Sequence, residues 1–403
     1  MAAWQFWIDV GGTFTDCIGF DPEGQLRTFK TLSSGATRGV AVVDPRSGGL
    51  TDPARRQDPA GFWDGALLRI EGLDSHQFVE TRITRFDAAT GTLISARELA
   101  IAFVSRGTST HETADDQTLK SVPEFHNGAG EGPAGSGEHE QTTFRYELRT
   151  RWEAPVLAIR YLLRLSADDR VPEVDVRFGT TRGTNALLTR TGARTVLLTT
   201  AGFADLLLIG NQTRPDLFAL NIERPLPLYA SVIEVEERIA ADGTVLRPLQ
   251  AESVQASNAL DQLIAARSAG IESVAICLLN AWRNDDHERL LEHLAREAGF
   301  QEISRSSEVS PLIRLVDRGH TTTLDAYLNP ILRSYLTEIS DQLPGSRLQV
   351  MTSAGGLVDH RHFRGRDCVL SGPAGGIVGF AQAARRRGFT RAIGFDMGGT
   401  STD

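Results

Sequence analysis

The chain opens with Ile8-Asp9-Val10-Gly11-Gly12-Thr13-Phe14-Thr15-Asp16 and repeats that stretch at its other end, as Phe395-Asp396-Met397-Gly398-Gly399-Thr400-Ser401-Thr402-Asp403. An aspartate, two glycines, a threonine, a second threonine and a final aspartate recur at the same offsets. Each copy follows an apolar run, Trp4 to Val10 in one case and Arg391 to Phe395 in the other. A strand running into Gly-Gly-Thr has a direct physical use. Glycine backbone approaches a ligand closely and adopts positive φ, so that successive N–H groups point at one anion. Threonine hydroxyls add donors, and an aspartate just before the turn holds a hydrated divalent cation beside the phosphates. One such turn is by itself only a hairpin. Two matching copies predict related half-domains whose loops grip a nucleotide phosphate chain from both sides.

Size and composition set the frame. At 403 residues, with a 41% hydrophobic and 23% charged share, the chain is an α/β protein of two or three domains. A formal net charge of −9 argues against a nucleic-acid or anionic-membrane partner, either of which favours a basic face. The apolar start is cut by Gln5 and Asp9, so it is neither a signal peptide nor a membrane span. The three cysteines, Cys17, Cys277 and Cys368, lack metal-ligand spacing, which fits a reduced, cytoplasmic setting.

Along the chain, Cys17 to Phe20 pairs back on Phe6 to Val10, Asp21 to Gly24 turns, and Gln25 to Leu32 is the next strand. Residues 43–171 break the pattern. Strands are expected over Gln77 to Asp87 and Thr92 to Ser95, a mobile loop over Asn127 to Gln141, and further strands over Thr142 to Arg149 and Val156 to Leu163. Together they read as a small inserted β-module, with His111, His126 and His139 as solvated loop residues. Val174 to Phe178 is a strand entering Gly179-Thr180-Thr181-Arg182-Gly183-Thr184-Asn185; Ala186 opens a helix capped by Thr184 or Asn185, and Arg194 to Thr199 is an apolar strand. This βαβ element implies a parallel sheet, and its turn is either an anion site or only a capped helix. Arg214 sits in the Asn211 to Asp216 loop, which either pairs with a substrate carboxylate or is plain surface. Ser273 to Leu279 reads as a buried strand with Cys277 in the core, Asn284 as the cap of the following helix, and Thr321 to Leu336 as a long helix bent at Pro330. Ser371-Gly372-Pro373 places proline in a first helical turn, and Gly375 and Gly376 leave a bare surface for a neighbouring helix or a nucleotide.

Phe6 to Asp16, Phe178 to Leu188, Leu370 to Gly376 and Phe395 to Asp403, in that order, resemble the hydantoinase A/5-oxoprolinase family. That family includes N-methylhydantoinase and acetone carboxylase subunits and belongs to the actin, sugar-kinase and Hsp70-like ATPase superfamily. The likeness covers residues 1–42 and 172–403 and fails between them. It implies an α/β fold of actin-like, ribonuclease H-like halves with mixed sheets flanked by helices, plus the inserted module. The expected division is 1–42 with 172–230 as the N-terminal ATPase half, 43–171 as the insertion, 231–390 as a further α/β region, and 391–403 as the start of a truncated second half. The chain ends inside the second loop, which leads us to expect a piece of a longer protein or a shortened reading frame.

The resemblance also implies chemistry. The relatives use ATP, here expected with Mg²⁺, to drive hydrolysis or carboxylation of an inert carbonyl compound; 5-oxoprolinases and hydantoinases open a cyclic amide, phosphorylating its carbonyl so that water attacks it. Gly11, Gly12, Thr13, Thr15 and Asp16 from one loop, and Gly398, Gly399, Thr400 and Thr402 from the other, would cradle the phosphates. Asp9 and Asp396 would act as catalytic groups and hold the metal through water. Gly179, Thr180, Thr181, Asn185, Arg214, Ser371, Gly372 and Gly375 would line the cleft. A hydantoinase B-type partner and an oligomeric assembly are expected, without nucleic acid or membrane. The alternatives are a small-molecule kinase of the same superfamily and a catalytically incomplete fragment or regulatory subunit. The sequence contains neither a Walker A lysine motif nor a Gly-x-Gly-x-x-Gly after a strand.

Overall fold

The computed structural model describes residues 4–43, 49–71, 78–96, 143–211, 218, 220–221, 225–395 and 397. The chain divides into two units, one of residues 1–34, 153–159 and 171–403, the other of residues 35–152 and 160–170.

The larger unit begins with a meander of β1 (Gln5–Val10), β2 (Phe14–Phe20) and β3 (Leu26–Leu32). In β1 the buried residues alternate, Phe6, Ile8 and Val10 inward against Gln5, Trp7 and Asp9 outward. That period of two is the signature of a strand with one covered face. The chain then forms the smaller unit through β4 (Ala36–Val43), β5 (Leu50–Thr51), β6 (Leu67–Glu71), β7 (Phe78–Asp87), β8 (Thr92–Ser95) and β9 (Thr143–Arg149). These close into an antiparallel barrel in the order β4-β5-β8-β7-β6-β9. Leu50, Leu68, Ile70, Ile83, Leu93 and Leu148 fill its interior. β4 can cross β9 because residue 39 is glycine: a Cβ there would overlap the Tyr146 hydroxyl, which donates to Asp52 Oδ2 at 2.6 Å and accepts from Arg55 Nε at 2.9 Å.

One expectation fails at the end of this stretch. Residues 154–162 form a helix, α1 (Ala154–Leu162), not a strand. A short, uninterrupted apolar run fits either element, and Pro155 in the first turn favours the helix. His111, His126 and His139 lie outside the described residues, as does the expected loop over Asn127 to Gln141.

The larger unit resumes with β10 (Asp175–Thr180), α2 (Arg182–Leu188), β11 (Thr195–Thr200), the short α3 (Leu206–Ile209), β12 (Tyr229–Val235) and a hairpin of β13 (Arg238–Ile239) and β14 (Val245–Arg247). It continues through α4 (Val254–Ser268), β15 (Ser273–Cys277), α5 (Asp286–Glu297), β16 (Glu302–Arg305), α6 (Ser306–Val309) and α7 (Leu315–Gln342). It ends in β17 (Arg347–Met351), β18 (Leu357–Asp359), α8 (Gly365–Cys368) and α9 (Ser371–Arg386). α7 is longer than the expected Thr321 to Leu336 and keeps Pro330 inside it. The expected cap of α2 also shifts, because the helix starts at Arg182 and takes Asn185 into its body.

Two sheets organise this unit. The first has the order β18-β17-β10-β1-β2-β3, with β1, β10 and β17 parallel. The second is a parallel sheet, β12-β11-β15-β16. Every residue of β11 and β15 is buried. Val196 and Leu198 pack with α4 and α5, whereas Leu197 joins Ala275, Cys277 and Ala326 of α7 in a separate cluster. Helices on both faces account for the continuous apolar runs. Arg391 to Phe395, expected as a strand, carries neither strand nor helix, and Ile393 and Phe395 are exposed.

Candidate functional site

Three of the four quoted motifs meet at the carboxyl ends of β1, β10 and β17, the edge where open α/β sheets bind ligands. β1 delivers Asp9 outward, paired across the sheet with Asp16 on β2 and Gly179 on β10. The position a Cβ at residue 179 would take lies 3.9 Å from Asp9 Oδ1, so the glycine sits directly beside the carboxylate.

The loop after β1 is tightly tied. Gly11 N–H donates to the Phe14 carbonyl at 3.0 Å, and a Cβ on Gly11 would lie 3.0 Å from the same oxygen. Glycine is needed here for space. The expected positive φ is absent, since neither Gly11 nor Gly12 occupies the left-handed region. Ser33, at the end of β3, buttresses the loop from behind: its hydroxyl donates to the Gly11 carbonyl at 2.7 Å and its N–H to the Thr13 carbonyl at 2.9 Å. Thr15 Oγ1 lies 3.0 Å from Ser33 Oγ and is fully buried. Gly12 and Thr13 remain exposed. Asp16 is paired with Lys30, Nζ to Oδ2 at 2.7 Å, on the same outward face as Asp9. Ser33 and Lys30 were not singled out in the sequence. A serine just after a strand gives no local signal when its partner lies 22 residues earlier.

The second motif is bonded to the first. Thr181 N–H reaches the Val10 carbonyl at 3.0 Å, and its hydroxyl lies 3.3 Å from the same oxygen. Asn185 Nδ2 donates to Thr181 Oγ1 at 3.2 Å. Thr180 is fully buried, and its Oγ1 accepts from Arg182 N–H at 3.1 Å in the first turn of α2. The third motif joins through Ser371, whose buried hydroxyl donates to the Thr180 carbonyl at 3.1 Å. Gly372 faces Thr181, and Gly375 faces Met351 of β17, at 3.5 and 3.6 Å from the positions their Cβ atoms would take. The neighbour at Gly375 is thus a side chain of a strand, while the space beside Gly376 is open. Leu370, just before α9, holds φ at 61°, a left-handed conformation that costs a branched residue roughly 1 kcal/mol and is kept only where its surroundings enforce it. Two residues earlier, Cys368 packs against Gly183 of α2, where a Cβ would overlap its sulfur. Burial pushes that thiol up to about 12.

Thr15 and Thr180 thus face the interior with protein partners, while Gly12, Thr13, Asp9 and the α9 start edge the open side. Asp396, Gly398, Gly399, Thr400, Thr402 and Arg214 lie outside the described residues. Elsewhere, His287 is committed on both nitrogens, with Nδ1 2.7 Å from Glu237 and Nε2 accepting from Leu249 N–H. Among the described residues there is no group of three or more His, Cys, Asp or Glu able to hold a metal, and no helix long and apolar enough to cross a membrane.

A family model described as the hydantoinase/oxoprolinase N-terminal region matches residues 5–48 and 136–299, and a second, hydantoinase/oxoprolinase, matches residues 318–403. The chain belongs to the hydantoinase/oxoprolinase family. Within this family it is similar to a 5-oxoprolinase of Saccharomyces cerevisiae, 37% identical over 311 residues, covering 68% of this chain and 24% of the relative. It is also similar to 5-oxoprolinase 1 of Arabidopsis thaliana, 39% identical over 279 residues, covering 62% of this chain and 22% of the relative. The chain therefore spans about a quarter of the length of these relatives. Its fold is similar to that of a nucleotide-free acetone carboxylase, a protein described as carrying out ATP-dependent acetone carboxylation, with a TM-score of 0.57 at 18% identity over 100% of this chain and 43% of that one. The N-terminal family match breaks off after residue 48 and resumes at 136, a gap that holds most of the barrel strands.

Proposed function

We propose that this chain forms the phosphate-binding half of an ATP-dependent enzyme that opens a cyclic amide of the 5-oxoproline or hydantoin type. The observation that carries the reading is the convergence of residues 9–15, 179–185 and 370–375 at one edge of one sheet, tied by bonds from Thr181 to Val10 and from Ser371 to Thr180. The sheet order, an antiparallel meander continued by parallel β10 and β17, supports a ribonuclease H-like half of the actin type. The 5-oxoprolinase relatives support the choice of substrate class.

The residues present fit a nucleotide and a divalent cation. Uncovered backbone at Gly12 and Thr13 and the N-terminus of α9 offer N–H donors to phosphate, where the helix dipole also favours negative charge. The outward carboxylate of Asp9, at the carboxyl end of β1 beside Gly179, suits a hydrated Mg²⁺. When bound, ATP would supply the phosphoryl group that turns the amide oxygen, otherwise an unreactive resonance partner, into a leaving group. The chain's own share is positioning. Ser33 and Thr15 hold the loop, Ser371 fixes α9 to β10, and Lys30 keeps Asp16 paired beside Asp9. In the same reading Asp396, Gly398, Gly399, Thr400 and Thr402 complete the cradle, Arg214 takes a substrate carboxylate, and a hydantoinase B-type partner completes the assembly.

The test is ADP release by the purified protein with Mg-ATP, alone and with such a partner. Release that requires 5-oxoproline or hydantoin and matches ring-opened product supports the proposal. A phosphorylated product that accumulates would make it a small-molecule kinase, and release indifferent to any cyclic amide would overturn it.

A further inference from the structure

The barrel unit holds a cavity of about 510 Å³ that plays no part in the reading above. Its walls carry both signs of charge, Arg82, Arg149 and Arg151 with Asp64 and Asp168, and its apolar side includes Trp152. The arginines are unequally engaged. Arg149 Nε is held by Glu147 at 2.6 Å. Arg82 gives one N–H to the Gly65 carbonyl at 3.2 Å, and Arg151 gives one to the Ala167 carbonyl at 3.4 Å. Since a guanidinium carries five N–H groups, Arg82 and Arg151 keep most of theirs for a ligand. On the acidic side, Asp64 Oδ1 accepts from Phe86 N–H at 2.6 Å. Burial, reinforced by the charge of Asp168 against that hydrogen bond, holds the Asp64 carboxyl above its usual range. Two carboxylates in this relation repel each other, and a cation between them relieves both.

The wall behind is firmly built. Arg160 is buried with its guanidinium 4.1 Å from the Trp152 ring, and it donates to the carbonyls of Ser166 and Ala167. It therefore fixes the loop that carries Asp168 and the aromatic face beside it. A cavity of this size, with an apolar side and a few convergent charges, has the character of a small-ligand site. A simple anion would leave the two carboxylates unrelieved, and a simple cation would face the arginines.

We propose that this cavity binds a small zwitterion, an amino acid or short peptide, with its carboxylate on Arg82 and Arg151, its ammonium between Asp64 and Asp168, and its apolar body against Trp152. The inference is independent of the cyclic-amide reading and needs no turnover to test. The purified protein is titrated calorimetrically with the dipeptide Leu-Phe, with its N-acetyl form, and with its C-terminal amide. The free dipeptide should bind, and blocking either end should weaken binding at least 10-fold. Asp168→Asn and Arg151→Gln, both at exposed positions, should each weaken the free dipeptide by about 10-fold, and Asp168→Asn should leave the N-acetyl form unchanged. Circular dichroism of both variants should match the parent. Failure of the free dipeptide to bind at millimolar concentration, equal binding of the blocked forms, or indifference to both substitutions would overturn the proposal.

Discussion

The two sheets of the larger unit differ in how they are covered. The parallel sheet of β11, β12, β15 and β16 is covered on both faces, and its inner strands are buried at every position. The sheet containing β1 is covered on one face, and its other face presents Trp7, Asp9, Asp16 and Ile18. The first sheet is packed as a two-sided core. The second leaves polar side chains and loop backbone uncovered at the carboxyl ends of its parallel strands, and all three described motifs lie there. On the proposed reading this exposed face belongs to the site, since a carboxylate that meets a hydrated cation cannot also be buried in an apolar core.

Substitutions on the two sheets should therefore separate activity from stability. Asp9→Asn should lower amide-dependent ADP release by about 10²–10³-fold, the scale of losing one preorganised charge contact, with an unchanged melting temperature. A loss of stability in place of activity would erase the distinction. Leu198→Ala, in the fully covered sheet, should destabilise by about 3 kcal/mol in chemical denaturation because it leaves a cavity in a two-sided core. Ser371→Ala should cost about 1 kcal/mol, by leaving the buried Thr180 carbonyl unpaired, and should also weaken nucleotide binding as α9 loses its tie to β10. Ile18→Ala, on the uncovered face, should cost under about 0.5 kcal/mol, as a surface change away from any such feature. A larger loss at Ile18 would mean that this face is covered in solution.

The same contrast explains what the sequence made legible. Alternation in β1 and β2 and the apolar runs within β11 and β15 announce their own burial, so the strands and their parallel or antiparallel sense were readable. The motifs were readable because glycine, threonine and aspartate at fixed offsets have a local use. What joins distant segments was not. Ser33 earns no notice until Gly11 is beside it, and Ser371 reaches a carbonyl 191 residues away. Closure of the barrel depends on β4 pairing with β9, where Gly39 meets Tyr146 across a long intervening stretch that includes the other barrel strands. Even local reading failed at residues 154–162, where an apolar run carried no period and only Pro155 marked a helix. Gly11 and Gly12 were read as φ-permissive, yet Gly11 is needed because a Cβ has no space there.

All of this rests on the uncovered edge of one sheet holding a phosphate chain. A crystal structure of the protein with Mg²⁺ and a non-hydrolysable ATP analogue tests it most directly. Phosphate oxygens should lie within hydrogen-bond reach of the Gly12 and Thr13 N–H groups, with the metal's water shell against Asp9. A nucleotide bound elsewhere, with those donors facing solvent, would contradict it.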